Sequence, residues 1–435
     1  MEKKFSSKIG FILTAVGSAV GMANIWGFPY KFQEGGLVFL LFYLAFVILF
    51  SYVGLSSEFA AGRMSPKGSL GSYEIAFESA GKGKKIARIF GYIPLFALFL
   101  IAIGYSVIVA YVSKAFIDSL SGQLFTMPAE DWFNSFSSEN YGVVAYHIVI
   151  IILTILTCIG GAKTIEKSNK IMMPTFFVLF LILVIRILFL DGSIEGYKYM
   201  FRFDPSKLNL DTIIAAMGQA FFSLSLTGAA MVTVGSYTDD SVDLMNSSKQ
   251  TGIYDSLAAL IASCVMIPAL SVFNMQQVGG PGLLFISLPT ILQNIFFGRI
   301  FSIILYLAVI FAGISSLQNM FEPVVASLTG RFDKLSRNLA LLIIGLVTIA
   351  ISLNMETIDK VGHYMDIVSI YIMSIGASIG SITWFYILKK DKLLAEINKS
   401  SKKTYGDRWY KIGKYVYVPI AVVLTLIALI FKISF

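Results

Sequence analysis

Two stretches of this chain concentrate small and polar residues in the middle of apolar runs. The first, GFILTAVGSAVGMANIWGFPYKF, carries Gly17, Ser18, Ala19, Gly21 and Asn24 at its centre, and Pro29 ends the central part. The second, GQAFFSLSLTGAAMVTVGSY, carries Ser223, Ser225, Thr227 and Gly228. Glycine and serine weaken a helix through low propensity and competing hydrogen bonds. Backbone that unwinds at membrane depth must be buried or line a cavity. Its freed carbonyls can coordinate a desolvated cation, and freed amides at a half-helix N-terminus can hold a carboxylate. Close helix packing also uses small residues, and for either stretch alone it explains the composition equally well. Two such stretches in corresponding positions favour a binding site. A third segment, FAGISSLQNMFEP, places Ser315 and Ser316 after the small pair Ala312–Gly313. Paired hydroxyls are suitable hard oxygen ligands for sodium, although such groups also bond carbonyls of their own helix.

Ionisable residues inside apolar runs are costly and usually functional. Glu58, Asp255, Glu322 and Asp366 qualify. Asp255 stands apart because no basic residue lies within five positions; its plainer role is an interfacial carboxylate. Arg186 sits late in its run and can snorkel outward. Cys158 and Cys264 lie inside apolar runs as small core residues, and His147 and His363 show no metal-ligand spacing. Gly376-Ala-Ser378-Ile-Gly380 matches the serine-hydrolase pattern, which needs a strand-to-helix elbow. Here it falls in an apolar helical run, with His363 fifteen residues away, about 22 Å by helical rise. An intramembrane hydrolase is therefore disfavoured, and the chain is not expected to be an enzyme. A passive channel is the other alternative, and paired broken helices around an enclosed site favour a carrier over it.

The elements that must hold these residues follow from hydropathy. The chain of 435 residues is 56% hydrophobic and 14% charged, against roughly 25% charged for a soluble protein. Apolar runs predict eleven spans, near 8–33, 37–62, 88–120, 141–160, 170–190, 211–235, 251–274, 298–329, 338–354, 362–389 and 412–432. This predicts one all-α membrane domain over residues 1–435 rather than several soluble ones. The broken spans open two halves of five, about 8–190 and 211–389, with an extra helix at about 412–432. The basic N-terminus leads into an apolar run without an A-x-A-like cleavage site, so it reads as a retained first helix. The net charge of +8 lies in loops, not in a basic block of nucleic-acid type. Lys3, Lys4, Lys8, the 63–88 loop and the 389–414 loop put the N-terminus inside and the C-terminus outside. The acidic loop with Asp239, Asp240 and Asp243 is an exception of little weight for orientation. Residues 275–297, interrupted by Pro281 and Pro289, predict an outside loop with a short helical hairpin.

At this point GFILTAVGSAVGMANIWGFPY resembles the first-helix signature of the neurotransmitter:sodium symporter family. So do GQAFFSLSLTGAAMVTVGSY, the outside-loop GPGLLFISLP and FAGISS, in that order over essentially the whole chain. Eleven spans resemble the shorter bacterial members. The resemblance implies a leucine-transporter-type 5+5 inverted repeat with broken helices 1 and 6, and uptake of an amino acid or amine driven by sodium through alternating access. It implies residence in a bacterial cytoplasmic membrane, with the lipid bilayer as surroundings and no obligatory protein partner indicated. Two sodium sites are implied. The first uses the Ala19 carbonyl, Asn24, Ser223 and Asp255 with the substrate carboxylate; the second uses carbonyls of Gly17, Val20 and Ala312 and hydroxyls of Ser315 and Ser316. The substrate carboxylate would lie on the amides of Gly21 and Ala23 and the hydroxyl of Tyr105. Its amine would meet carbonyls of Ala19, Phe222 and Ser225. Phe222 and Tyr105 would close over it, and Ser18, Met22, Ile101, Phe222, Ser225, Gly228, Ser316 and Met320 would line the side-chain pocket.

Amine carriers of the family hold an aspartate where this chain has Gly21, so an amino acid is expected. Gly228, at a pocket position that is bulky in some relatives, predicts spare volume for a large apolar or aromatic side chain, tyrosine or tryptophan ahead of leucine. Asp255 supplies a fixed negative charge and predicts no need for chloride. The gates depart from the family pattern: Gly27 replaces the arginine that usually pairs with an acid here matched by Asp366, Phe5 replaces a tryptophan, and Gly330 an aspartate. Lys3, Lys4 and Asp333 are the candidate substitutes at the inner end.

Overall fold

A computed structural model describes residues 4–273 and 279–433. The first broken element begins with α1 (Lys8–Ala19), whose N-terminus Ser7 caps by accepting from the Gly10 N–H. Helical structure stops at Val20–Gly21 and resumes in α2 (Ala23–Arg63). That element turns sharply at Gly36, where φ is +56° and ψ is −152°, a conformation that suits glycine. Then follow α3 (Gly68–Ser79), the long α4 (Lys84–Ser121), the short α5 (Ala129–Ser137), α6 (Val144–Cys158), α7 (Ala162–Leu188) and α8 (Ser193–Met200). The second break lies between α9 (Leu210–Ser223) and α10 (Ala230–Ser236). The remainder is α11 (Leu244–Val272), α12 (Leu283–Gln293), α13 (Gly298–Arg331), α14 (Arg337–Met355), α15 (Ile358–Ile387), α16 (Lys390–Asn398) and α17 (Asp407–Phe431).

Among the described residues, eight helices are long and apolar enough to cross a membrane: α2, α4, α7, α11, α13, α14, α15 and α17. Their outer faces carry exposed Leu41, Ile48, Val178, Ile185, Leu346 and Leu426. Such a belt has no place in water and suits acyl chains. In the described part of the 275–297 segment, Leu283–Gln293 forms one short helix; residues 275–278, like Lys3, lie outside the described residues.

The broken helices sit at the centre. α1 packs on α7, α11, α13 and α10. α9 packs on the first half of α2, and α10 against its last turns at Ser56–Arg63. α13 leans on α4 and α7. Each break is therefore walled by long helices, which is where unwound backbone can survive in a bilayer.

Candidate functional site

Helix termination leaves backbone groups without their usual partners four residues away. At the first break the Gly21 N–H donates to Asn24 Oδ1 at 3.0 Å, and the Met22 N–H donates to the Tyr105 hydroxyl at 3.3 Å. These are the amides that a continuous helix would direct to the carbonyls of Gly17 and Ser18. The Ser18 carbonyl instead accepts from Ser225 Oγ at 2.8 Å, and the Val20 carbonyl from Ser316 Oγ at 3.2 Å. One α1 terminus thus touches the second break and the middle of α13. The Ala23 carbonyl accepts from Gln219 Nε2 at 3.0 Å.

Around Asn24 a closed polar cluster forms. Its Nδ2 lies 2.7 Å from Asp255 Oδ1 and 3.2 Å from both the Asp255 carbonyl and Ser223 Oγ. Ser223 Oγ donates to the Asp255 carboxylate at 2.8 and 2.9 Å, and Tyr43 OH reaches Asp255 Oδ2 at 3.1 Å. Asn24 and Asp255 are fully buried and Ser223 nearly so. A donor nitrogen thus stands among acceptor oxygens at the position where the sequence suggests sodium. The donor set, one carboxylate with hydroxyl and carbonyl oxygens, fits a hard monovalent cation. For Asn24 to offer oxygen there, its amide must turn. Tyr43 carried no sequence signal, since its role depends only on α2 crossing α11.

The second proposed cation site is assembled from α1 and α13. Ser315 Oγ donates to the Ala312 carbonyl at 2.9 Å, and Ser316 reaches Val20 as above. Both hydroxyl oxygens keep free acceptor capacity, which fits the same class of ion. A Cβ built on Gly17 would lie 3.2 Å from Ser315 Cβ, so Gly17 and Ser315 touch.

Gly21, expected at the substrate carboxylate, faces Ser316 and Tyr105. A Cβ there would lie 2.8 Å from Ser316 Oγ and 3.0 Å from Tyr105 OH. Ile101 is buried one turn before Tyr105 on α4, and Met320 stands one turn after Ser316 on α13. Ser18 and Met22 are buried, and Phe222 is half-buried beside Phe221.

Gly228 behaves differently from the expectation of spare volume. Its φ is +77°, and a Cβ would meet Tyr73 OH at 2.8 Å, the Gly376 carbonyl at 3.1 Å and Gly380 Cα at 3.1 Å. The missing side chain is demanded by conformation and by the close approach of α15; it opens no room for a ligand. The Gly228 N–H donates to buried Glu58 Oε1 at 2.9 Å, and its carbonyl accepts from Tyr73 OH at 3.1 Å. Thr227 Oγ1 caps α10 by accepting from the Ala229 and Ala230 amides.

The two ends where the family pattern would put its gates hold Lys31 on one side and Lys4, an expected substitute, on the other. Beside Gly27 stands Gln219, whose Oε1 accepts from Lys31 Nζ at 3.0 Å, while Asp366 is exposed on α15. A cation one turn after Gly27 thus occupies this end, a signal the sequence carried in Lys31. At the other end Lys4 pairs with Asp239 at 3.7 Å, and not with Asp333. Ser241 hydrogen bonds, with help from Lys4, hold the Asp239 carboxyl below the usual carboxylate range. The Phe5 N–H donates to the Tyr237 carbonyl at 2.9 Å, and the two rings meet edge-on. Ser6 and Ser7 hold Glu166 Oε1 at 2.7 and 2.9 Å, with Lys170 at 2.6 Å. Tyr237 OH bonds Glu322, which also pairs with Arg337. Gly330 packs on the Lys67 backbone.

The hydrolase alternative has no structural support. Ser378 lies in a helix, and its Oγ bonds the Ala421 carbonyl at 3.1 Å and Thr425 Oγ1 at 2.7 Å, joining α15 to α17. His363 is exposed at the other end of α15.

Comparison with known proteins places this geometry. The model of the sodium:neurotransmitter symporter family matches residues 2–142 and 134–434. An uncharacterised sodium-dependent transporter of Bacillus subtilis is 31% identical over 99% of this chain and 98% of its own length. One of Methanocaldococcus jannaschii is 30% identical over 97% of this chain and 89% of its own. The crystal structure of MhsT in complex with L-phenylalanine superposes with a TM-score of 0.85, at 29% identity, over 98% of this chain and 99% of that one. The fold is accordingly the leucine-transporter type, with both helix breaks in their expected places.

Proposed function

The chain belongs to the sodium:neurotransmitter symporter family, and on that premise we propose that it takes up a large apolar or aromatic amino acid with sodium, without chloride. It is a multi-pass sodium-dependent transporter and not an enzyme, as the family is. The observation that carries the amino-acid reading is the Gly21 position. Tyr105 OH and Ser316 Oγ crowd its Cβ place, so no side-chain acid stands there to hold an amine. A ligand that brings its own carboxylate, against the Gly21 amide and Tyr105, completes the site. With Gly228 closed off, the aromatic preference rests on the MhsT structure, which contains L-phenylalanine.

Two sodium ions are the co-substrates of this reading, at Ala19, Asn24, Ser223 and Asp255, and at Gly17, Val20, Ala312, Ser315 and Ser316. The Asn24 amide links the first ion to the substrate. While its Nδ2 faces Asp255, its Oδ1 occupies the Gly21 N–H. Turning the amide presents oxygen to a cation and frees that N–H for a carboxylate. One rotation thus makes sodium and substrate favour the same state, which is what coupling requires. Asp255 already carries the compensating negative charge, which supports independence from chloride. Eleven spans, with α1 joined to the first part of α2 and α9 joined to α10, give repeats at about 8–190 and 211–389 and a last helix at about 412–432. The N-terminus faces the cytoplasm and the C-terminus the outside, in a bacterial cytoplasmic membrane.

Binding of radiolabelled tyrosine to the purified protein, in sodium or choline and with chloride or gluconate, tests this. Sodium-dependent binding displaced by tryptophan, phenylalanine and leucine, and unchanged in gluconate, is expected. Binding that ignores sodium removes the central reading; competition by glycine or alanine alone removes the aromatic one; loss in gluconate removes chloride independence.

A further inference from the structure

Beside Gly17 lies a polar group that the ligand sets above do not use. Asn169, on α7, is fully buried. Its Nδ2 donates to the Ile165 carbonyl at 2.9 Å and reaches Gln318 Oε1 at 3.3 Å. Ser168 Oγ holds the same Gln318 oxygen at 3.1 Å. These bonds fix which way the amide faces, because a flipped amide would set oxygen against the Ile165 carbonyl. The remaining atom, Oδ1, has no hydrogen-bond partner among the described residues. It points at the α-carbon of Gly17: a Cβ built there would lie 2.3 Å from Oδ1 and 3.2 Å from Ser315 Cβ. A buried acceptor without a donor is rare and calls for a partner. The residue it faces, Gly17, belongs to the second sodium set, and Ser315 of the same set lies on the same side of Gly17. Every other group assigned to that set is an uncharged oxygen, so an amide oxygen matches its chemistry.

We propose that the Asn169 amide oxygen is a further ligand of the second sodium site, contributed by a helix that the sequence pattern leaves out of it. The proposal rests on the sodium reading above, and Gly17 is glycine here because this oxygen occupies the place of its side chain.

Sodium-dependent thermal stabilisation of the full-length protein in detergent, titrated with NaCl or LiCl against choline, tests it without transport. N169A is expected to raise the half-maximal sodium concentration about tenfold and to change the sodium-to-lithium ratio. N169D, which keeps an oxygen but loses the Ile165 and Gln318 bonds, is expected to retain a sodium response. A wild-type midpoint and ion ratio in N169A, with S316A weakened, overturns the proposal and leaves the sodium site standing. A lost sodium response in N169D also overturns it, since that is the mark of a purely structural amide. A wild-type protein indifferent to sodium, or an unaffected S316A, removes the underlying site reading instead.

Discussion

The two helix breaks satisfy their freed backbone with different kinds of partner. At the first, the partners are tips of side chains that a ligand can displace: Asn24, Tyr105, Ser225 and Ser316. At the second, they are permanent: the buried Glu58 carboxylate, the Thr227 cap and Tyr73, with the α15 backbone closing over Gly228. A break that must exchange partners during transport needs soft neighbours, and one that only frames the site can be locked. Substitutions at equivalent glycines separate the two cases.

G228A is the harshest test. A left-handed residue gains a Cβ that meets main-chain atoms unable to rotate away. Backbone strain and overpacking together are expected to cost about 3 kcal/mol of stability. Thermal unfolding of the purified variant reads this, and a midpoint equal to wild type would mean that the second break is not locked. G21A is expected to do less to the fold and more to binding. Its Cβ meets only the movable ends of Ser316 and Tyr105, so they turn aside, away from the substrate. Amino-acid affinity should fall about a hundredfold while the unfolding midpoint shifts far less than in G228A. Equal effects on stability would erase the distinction.

What the sequence made legible follows the same division. Small and polar residues inside apolar runs marked both breaks, because helix propensity is local. Asp255 was noticed for its lack of a nearby basic residue and Ser223 for its place among small polar residues, while the family resemblance grouped them with Asn24. Partners that depend on how helices cross were not legible: Tyr43 against Asp255, Tyr73 against Gly228, Gln219 between Lys31 and Ala23, and Glu166 beneath Ser6 and Ser7. Gly228 was misread for this reason. An absent side chain looks like space in one dimension, but α15 fills it in three. Lys31, one turn after Gly27, was passed over likewise, because its bond to Gln219 depends on how the helices cross.

The finest test concerns a direct bond between the two breaks' central segments. Ser225 has φ +53°, and its Oγ donates to the Ser18 carbonyl at 2.8 Å. This joins the soft break to the locked one across the proposed amine subsite. S225A removes that donor and leaves the backbone path unchanged. The Ser18 carbonyl then loses a neutral hydrogen bond worth about 1 kcal/mol. If the second break merely frames the site, S225A should weaken amino-acid binding no more than about fivefold, with sodium dependence intact. If the bond instead carries movement from one break to the other, sodium and substrate should become less coupled. The sodium concentration for half-maximal tyrosine binding would then stop depending on tyrosine concentration. Measuring that dependence in S225A decides whether the breaks act as one device or as a moving part on a fixed frame.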